Sequence, residues 1–148
     1  MSPIVTKPEF RAPADILEKE IERLRVPLPK AALTVLATPI LGTWVNGDHQ
    51  TRGLVRLMIT AAGNEVMIHG FGACSPTPCD WGAVNGLIYA DNVTATPAVA
   101  FTAVYNFSFK QTTVIGHLFH GALLVETFDH FTDKSGRADY YSMNVLTQ

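Results

Sequence analysis

Charged residues are scarce in this chain, making up 16% of its 148 positions against the roughly 25% of an average globular protein. Because hydrophobic residues reach 47%, some apolar surface is expected to meet a ligand or a second subunit, and a homo-oligomer is the expected assembly. A formal net charge of −2 offers no basic face to a phosphate backbone, which argues against nucleic acid as a partner. Cysteine is nearly absent. Cys74 and Cys79 are too few for a disulfide framework, and a cytosolic setting would keep them reduced. No stretch approaches the eighteen or so apolar residues of a membrane span, and no N-terminal segment joins a positive start to an apolar run. A soluble, cytoplasmic protein with no membrane partner is the expectation. Nucleotide-binding glycine loops, a catalytic serine elbow and a HExxH helix are also missing, so kinase, hydrolase and zinc-protease readings lack support. No cofactor is implied.

What is present falls into two parts, an arm and helix over residues 1–40 and a run of strands over 41–148. Three prolines in the first thirteen residues indicate an extended arm. A helix is expected from Pro13-Ala14-Asp15, where proline suits a first turn and Asp15, Glu18 and Glu20 suit the positive end of the helix dipole. Ile16, Leu17, Ile21 and Leu24 share one face at helical spacing, so this amphipathic helix is expected to pack on the strands. Pro27 and Pro29 end it. After Trp44, segments 53–61, 65–73, 84–90, 98–106, 109–119, 122–131 and 138–146 are each rich in β-branched or aromatic residues and bounded by turn signals. With the strand at Trp44 that makes eight, which predicts an all-β fold: an eight-stranded antiparallel up-and-down β-barrel with an N-terminal amphipathic helix. Asp133-Lys134-Ser135-Gly136 is the strongest hairpin turn.

The first strand carries a resemblance. Gly42-Thr43-Trp44-Val45-Asn46 resembles the Gly-X-Trp opening strand of the calycin superfamily, which includes lipocalins, fatty-acid-binding proteins and avidins, and it is most similar to the avidin type. The resemblance implies a barrel over roughly residues 41–146. It also implies that Trp44 closes one barrel end, with Arg137 as the candidate arginine above it. Only Trp44 and Trp81 are present, so the aromatic cage of biotin-binding avidins cannot be assembled and biotin is not the implied ligand.

The stretch from His69 to Gly82 holds the two cysteines among paired glycines and prolines, and it reads as a structured loop at a barrel end. Zinc at Cys74, Cys79 and a histidine suits the ligand chemistry, but no second Cys or His pair follows at the usual distance. A disulfide or two buried thiols is the preferred reading, and no metal site is assigned. Along the third strand Glu65, Met67, His69 and Phe71 share a face, and along the seventh Leu124, Glu126, Phe128 and His130 do so. If these faces line the barrel, they make a mostly apolar cavity with a few converging polar groups, the usual make-up of a small-molecule site. The leading functional reading is binding of a hydrophobic or amphipathic small molecule inside the barrel, with Trp44, Arg56, Met67, Phe71, Phe128 and His130 as ligand contacts. The alternative is a cofactor-free cyclase or isomerase in which His69, Glu126 and Tyr141 supply acid–base groups. A one-residue shift of register exchanges the two faces of any of these strands.

Overall fold

The computed structural model describes residues 34–63 and 65–148. The expected arm and helix before residue 34 lie outside the described residues, as does Asn64. A short 3₁₀ turn at Thr38–Ile40 leads into eight strands: β1 Gly42–Asn46, β2 Leu54–Ala62, β3 Glu65–Gly72, β4 Cys79–Ala90, β5 Ala98–Asn106, β6 Lys110–Phe119, β7 Ala122–Phe131 and β8 Tyr140–Thr147. Each strand pairs antiparallel with its neighbours in the chain, and β8 returns to β1, giving a closed up-and-down barrel. No helix among the described residues is long and apolar enough to cross a membrane.

The alternation of side chains decides what the barrel encloses. Trp44, Leu57, Ile59, Val66, Ile68, Phe101, Tyr105, Val114, Leu123, Val125 and Leu146 form a single buried cluster. They come from strands all around the barrel, and side chains on opposite strands of a closed sheet meet only through its interior. These positions therefore point inward, and the residues between them point outward. An eight-stranded barrel is just wide enough for such side chains to fill it. Leu54 and Leu57 both face inward, three residues apart, because the β2–β3 register shifts between Leu54 and Arg56.

The chain enters at one end of the barrel, where Ile40 is fully buried and Trp44 Nε1 donates to the Ile40 carbonyl at 2.9 Å. Trp44 thus closes this end as a core plug, 3% exposed. Arg137 is not above it. Arg137 belongs to the β7–β8 connection at the far end, where its Nη2 lies 2.7 Å from Asp133 Oδ2 and its guanidinium sits 4.2 Å from the Phe131 ring centre. The hairpin that carries Arg137 leads away from the β8 terminus that pairs with β1, so the two groups are held at opposite ends.

The expectation of a loop from His69 to Gly82 followed by a strand from residue 84 is also corrected. β4 begins at Cys79, and only the segment containing Pro76 and Pro78 turns outside the ladder. The strand continues through Gly82 because this residue takes a positive φ of 81° and makes a bulge, so that His69 faces Ala83 while Phe71 faces Asp80. A bulge leaves backbone groups without their ladder partners, and Tyr105 supplies the replacement. Its hydroxyl accepts from Gly70 N–H at 3.0 Å and lies 2.8 Å from the Ile68 carbonyl and 3.0 Å from the Gly82 carbonyl. Gly70 and Gly72 are bare because the Trp81 indole lies on them; a Cβ at either would approach it to 2.6 Å.

Removing the Tyr105 hydroxyl leaves those groups unpaired in the interior, so Tyr105→Phe is expected to lower unfolding stability by about 1–3 kcal/mol in a denaturant titration. Burial pushes the Tyr105 phenol up to about 12 from its ordinary 10.0. The neutral form is therefore favoured by folding, and its contribution is full below pH 10 and lost as pH rises towards 12. Wild-type stability should fall across that window more steeply than that of Tyr105→Phe; parallel curves would show that Tyr105 is not the responsible group.

Candidate functional site

Outward-facing residues of β6, β7 and β8 form a grid set by register. Gln111 faces His130 across the β6–β7 ladder, Thr113 faces Phe128, and Ile115 faces Glu126. Across the β7–β8 ladder, Phe128 faces Tyr141 and Glu126 faces Met143. Directly opposed side chains in such a sheet stand about 5 Å apart. The first two rows line a groove of about 340 Å³ with Gln111, Thr113, Phe128, His130, Asp139 and Tyr141. Phe128 and Tyr141 stay 42% and 52% exposed, with ring centres 5.2 Å apart, and form an apolar wall.

The polar edge of the groove is the pair His130 and Asp139. His130 Nδ1 lies 2.7 Å from Asp139 Oδ2, and the other carboxylate oxygen accepts from Phe131 N–H at 2.8 Å. These two contacts, the imidazole first, hold the Asp139 carboxyl below its ordinary range, so it is a carboxylate at neutral pH. A carboxylate only accepts hydrogen bonds, so in the neutral ring Nδ1 carries the proton and Nε2 keeps its lone pair. Nearby, the Tyr141 hydroxyl is pushed up, first by reduced solvation and then by the Glu126 carboxylate beside it. It is a neutral donor.

The remaining expected site residues lie elsewhere. Met67, His69 and Phe71 point outward on β3, and Arg56 points outward on β2; β1 separates them from the groove. The His69 ring stacks on Phe71 with centres 4.5 Å apart, and the Arg56 guanidinium lies 4.2 Å from the same ring centre. His69 Nε2 contacts Asp80, whose carboxyl is held low by Gly82 N–H and then by the imidazole. Arg56 Nε is buried without a hydrogen-bond partner among the described residues. Of the residues singled out in the sequence, the structure therefore brings Glu126, Phe128, His130 and Tyr141 together, holds Arg56, Met67, His69 and Phe71 in a second cluster, and keeps Trp44 in the core. All eight residues of the two clusters face outward, not into the barrel.

Gln111 and Asp80 carried no signal in the sequence. Asp139 did: the turn Asp133–Gly136 is centred between Lys134 and Ser135, and His130 and Asp139 are equidistant from that centre. Cys74 and Cys79 are joined as a disulfide with Cα atoms 5.4 Å apart, so neither sulfur is left for a metal. No group of three or more His, Cys, Asp or Glu residues suited to a metal ion occurs among the described residues. No protein-family model, curated protein or solved structure matches the chain.

Beneath the groove, Asp129 turns inward and is 5% exposed. It accepts from Thr112 Oγ1 and lies 2.9 Å from Lys110 Nζ, tying β7 to β6 below the lining residues. Removing one partner of such a buried pair strands the other, so Asp129→Ala is expected to cost about 3 kcal/mol in thermal or chemical unfolding. A loss under about 0.5 kcal/mol, the range of ordinary surface changes, would show that the pair does not brace the groove.

Proposed function

We propose that this barrel binds a hydrophobic or amphipathic small molecule in the groove over β6, β7 and β8. The observation that carries this reading is the groove itself, in which an aromatic wall of Phe128 and Tyr141 stands beside a fixed His130–Asp139 pair. Its volume of about 340 Å³ lies at the lower end of small-molecule sites, and an apolar surface with a few convergent polar groups is their usual composition. A closed barrel of this kind is compatible with a ligand in its interior. Here the inward positions carry large side chains with almost no exposure, which favours the outer face.

The roles follow from position. Phe128 and Tyr141 supply apolar contact, His130 and Gln111 supply hydrogen bonds that orient the ligand, and Glu126 closes the next row. The same scarcity of surface charge supports self-association: Val45, Leu87, Val104, Met143 and Val145 are apolar and exposed on the outer surface.

Titration with 1-anilinonaphthalene-8-sulfonate, which combines apolar rings with one charged group, tests the site. Phe128→Ala should weaken dye binding about tenfold, the equivalent of about 1.4 kcal/mol of aromatic contact, while Leu87→Ala, on β4, should leave it unchanged. Equal affinities for wild type and Phe128→Ala would move the binding site away from this groove. Native mass spectrometry of the purified protein should show more than one subunit, and a monomer at micromolar concentration would count against self-association.

A further inference from the structure

We propose that the groove is catalytic, with His130 as a general base that enolises an uncharged carbonyl compound lying on Phe128 and Tyr141. This rests on the groove being the binding site. Three features point to proton transfer and not to binding alone. The first is the fixed ring: Asp139 is itself held by Phe131 N–H and in turn holds His130 Nδ1, which leaves Nε2 as the free ring nitrogen of a residue that lines the groove. The second is a hydrogen-bond donor across from the base. Gln111 faces His130 directly, and its amide nitrogen donates to Asn106 Oδ1 at 3.0 Å, which occupies one of its two hydrogens and leaves the other. The third is the apolar wall one row away, which places the body of a substrate beside both groups.

The step balances without a co-reactant. His130 Nε2 takes a proton from the carbon next to the carbonyl, the C–H electron pair becomes the C=C bond of the enolate, and the carbonyl π pair moves onto oxygen. That oxygen accepts from the free hydrogen of the Gln111 amide. Return of the proton from Nε2 to the same carbon completes an exchange, and its return to a conjugated position completes an isomerisation. Asp139 is a positioning residue that keeps the proton on Nδ1. The charged and titratable groups that line the groove with the ring are Asp139, Tyr140 and Tyr141 on the β8 side and Asp129 on β7, whose carboxylate is tied to Lys110 and Thr112 of β6. Arg137 is tied to Asp133. The His69–Asp80 pair has similar contacts, but there the ring lies flat on Phe71, whose own ring also carries the Arg56 guanidinium, and it is Nε2 that contacts Asp80.

The test is proton–deuterium exchange at C1 of 2-tetralone, a small apolar aromatic ketone, followed by NMR with the full-length protein in D₂O. Wild type should accelerate loss of the C1 proton signal. His130→Gln should lose about a hundredfold of the enzyme-catalysed rate. Asp139→Asn should lower kcat by about tenfold or more with KM held within about twofold, a split that a merely structural role would not produce. His49→Gln, in the β1–β2 loop, should exchange at the wild-type rate. Dye binding by His130→Gln confirms that this variant is folded with its groove intact. If His130→Gln binds dye normally and exchanges as fast as wild type, or if wild type binds dye and does not accelerate exchange, the catalytic inference is overturned while the binding reading stands. If Phe128→Ala binds dye as wild type does, the groove reading falls and the catalytic one with it.

Discussion

Closure of the barrel depends on its shortest seam. β1 meets β8 through only two aligned pairs, Val45 with Thr147 and Asn46 with Leu146. Side chains extend the join at both ends. Asn46 is buried and donates from one amide nitrogen to the Leu54 carbonyl at 2.7 Å and to Asn144 Oδ1 at 2.9 Å, so it links β1 to both of its neighbours. Its own oxygen accepts from Asp48 N–H and starts the turn into β2. At the other end Gln148 Nε2 donates to the Leu41 carbonyl. Once the seam is shut the sheet has no free edge, and each residue has only two destinations, the filled interior or the outer surface.

That division accounts for what could and could not be read from the chain. Strand number, order and most boundaries were legible, because β-branched and aromatic runs alternate with turns of strong local chemistry. The inside of the barrel was not. On β3 the inward residues are Val66, Ile68, Gly70 and Gly72, and the two glycines make that face read as less apolar than the outward one with Met67 and Phe71. Trp81 on the next strand and Tyr105 on β5 fill the missing volume. On β7 the inward face contains Thr127 and Asp129, satisfied by Ser142 and by Thr112 with Lys110, so polarity marks the wrong face there too. Periodicity gives two faces, and only tertiary partners say which is enclosed. The same limit explains the misjudged start of β4. Glycine and proline near Cys79 signal a break, and a bulge at Gly82 rescued by one phenol lets the strand run through.

The two His–Asp pairs show how one local device is given different characters by its surroundings. Each joins an outward histidine near the end of one strand to an aspartate at or just before the start of the next, and in each the aspartate also accepts a backbone N–H, Gly82 in one and Phe131 in the other. The hairpins thus orient both imidazoles. What differs is the neighbouring surface. Around His69, the ring is stacked on Phe71, and the Phe71 ring in turn carries the Arg56 guanidinium. Around His130, the arginine of the hairpin is neutralised by Asp133 and stacked on Phe131, and the neighbouring positions carry Gln111, Thr113 and Phe128. The His130 imidazole is fixed by a carboxylate beside an apolar wall and opposite an amide, whereas the His69 imidazole lies against Phe71 with Nε2 on Asp80. The difference in chemistry lies in neighbours on β6 and β8 that register, and not proximity in sequence, brings to the same surface.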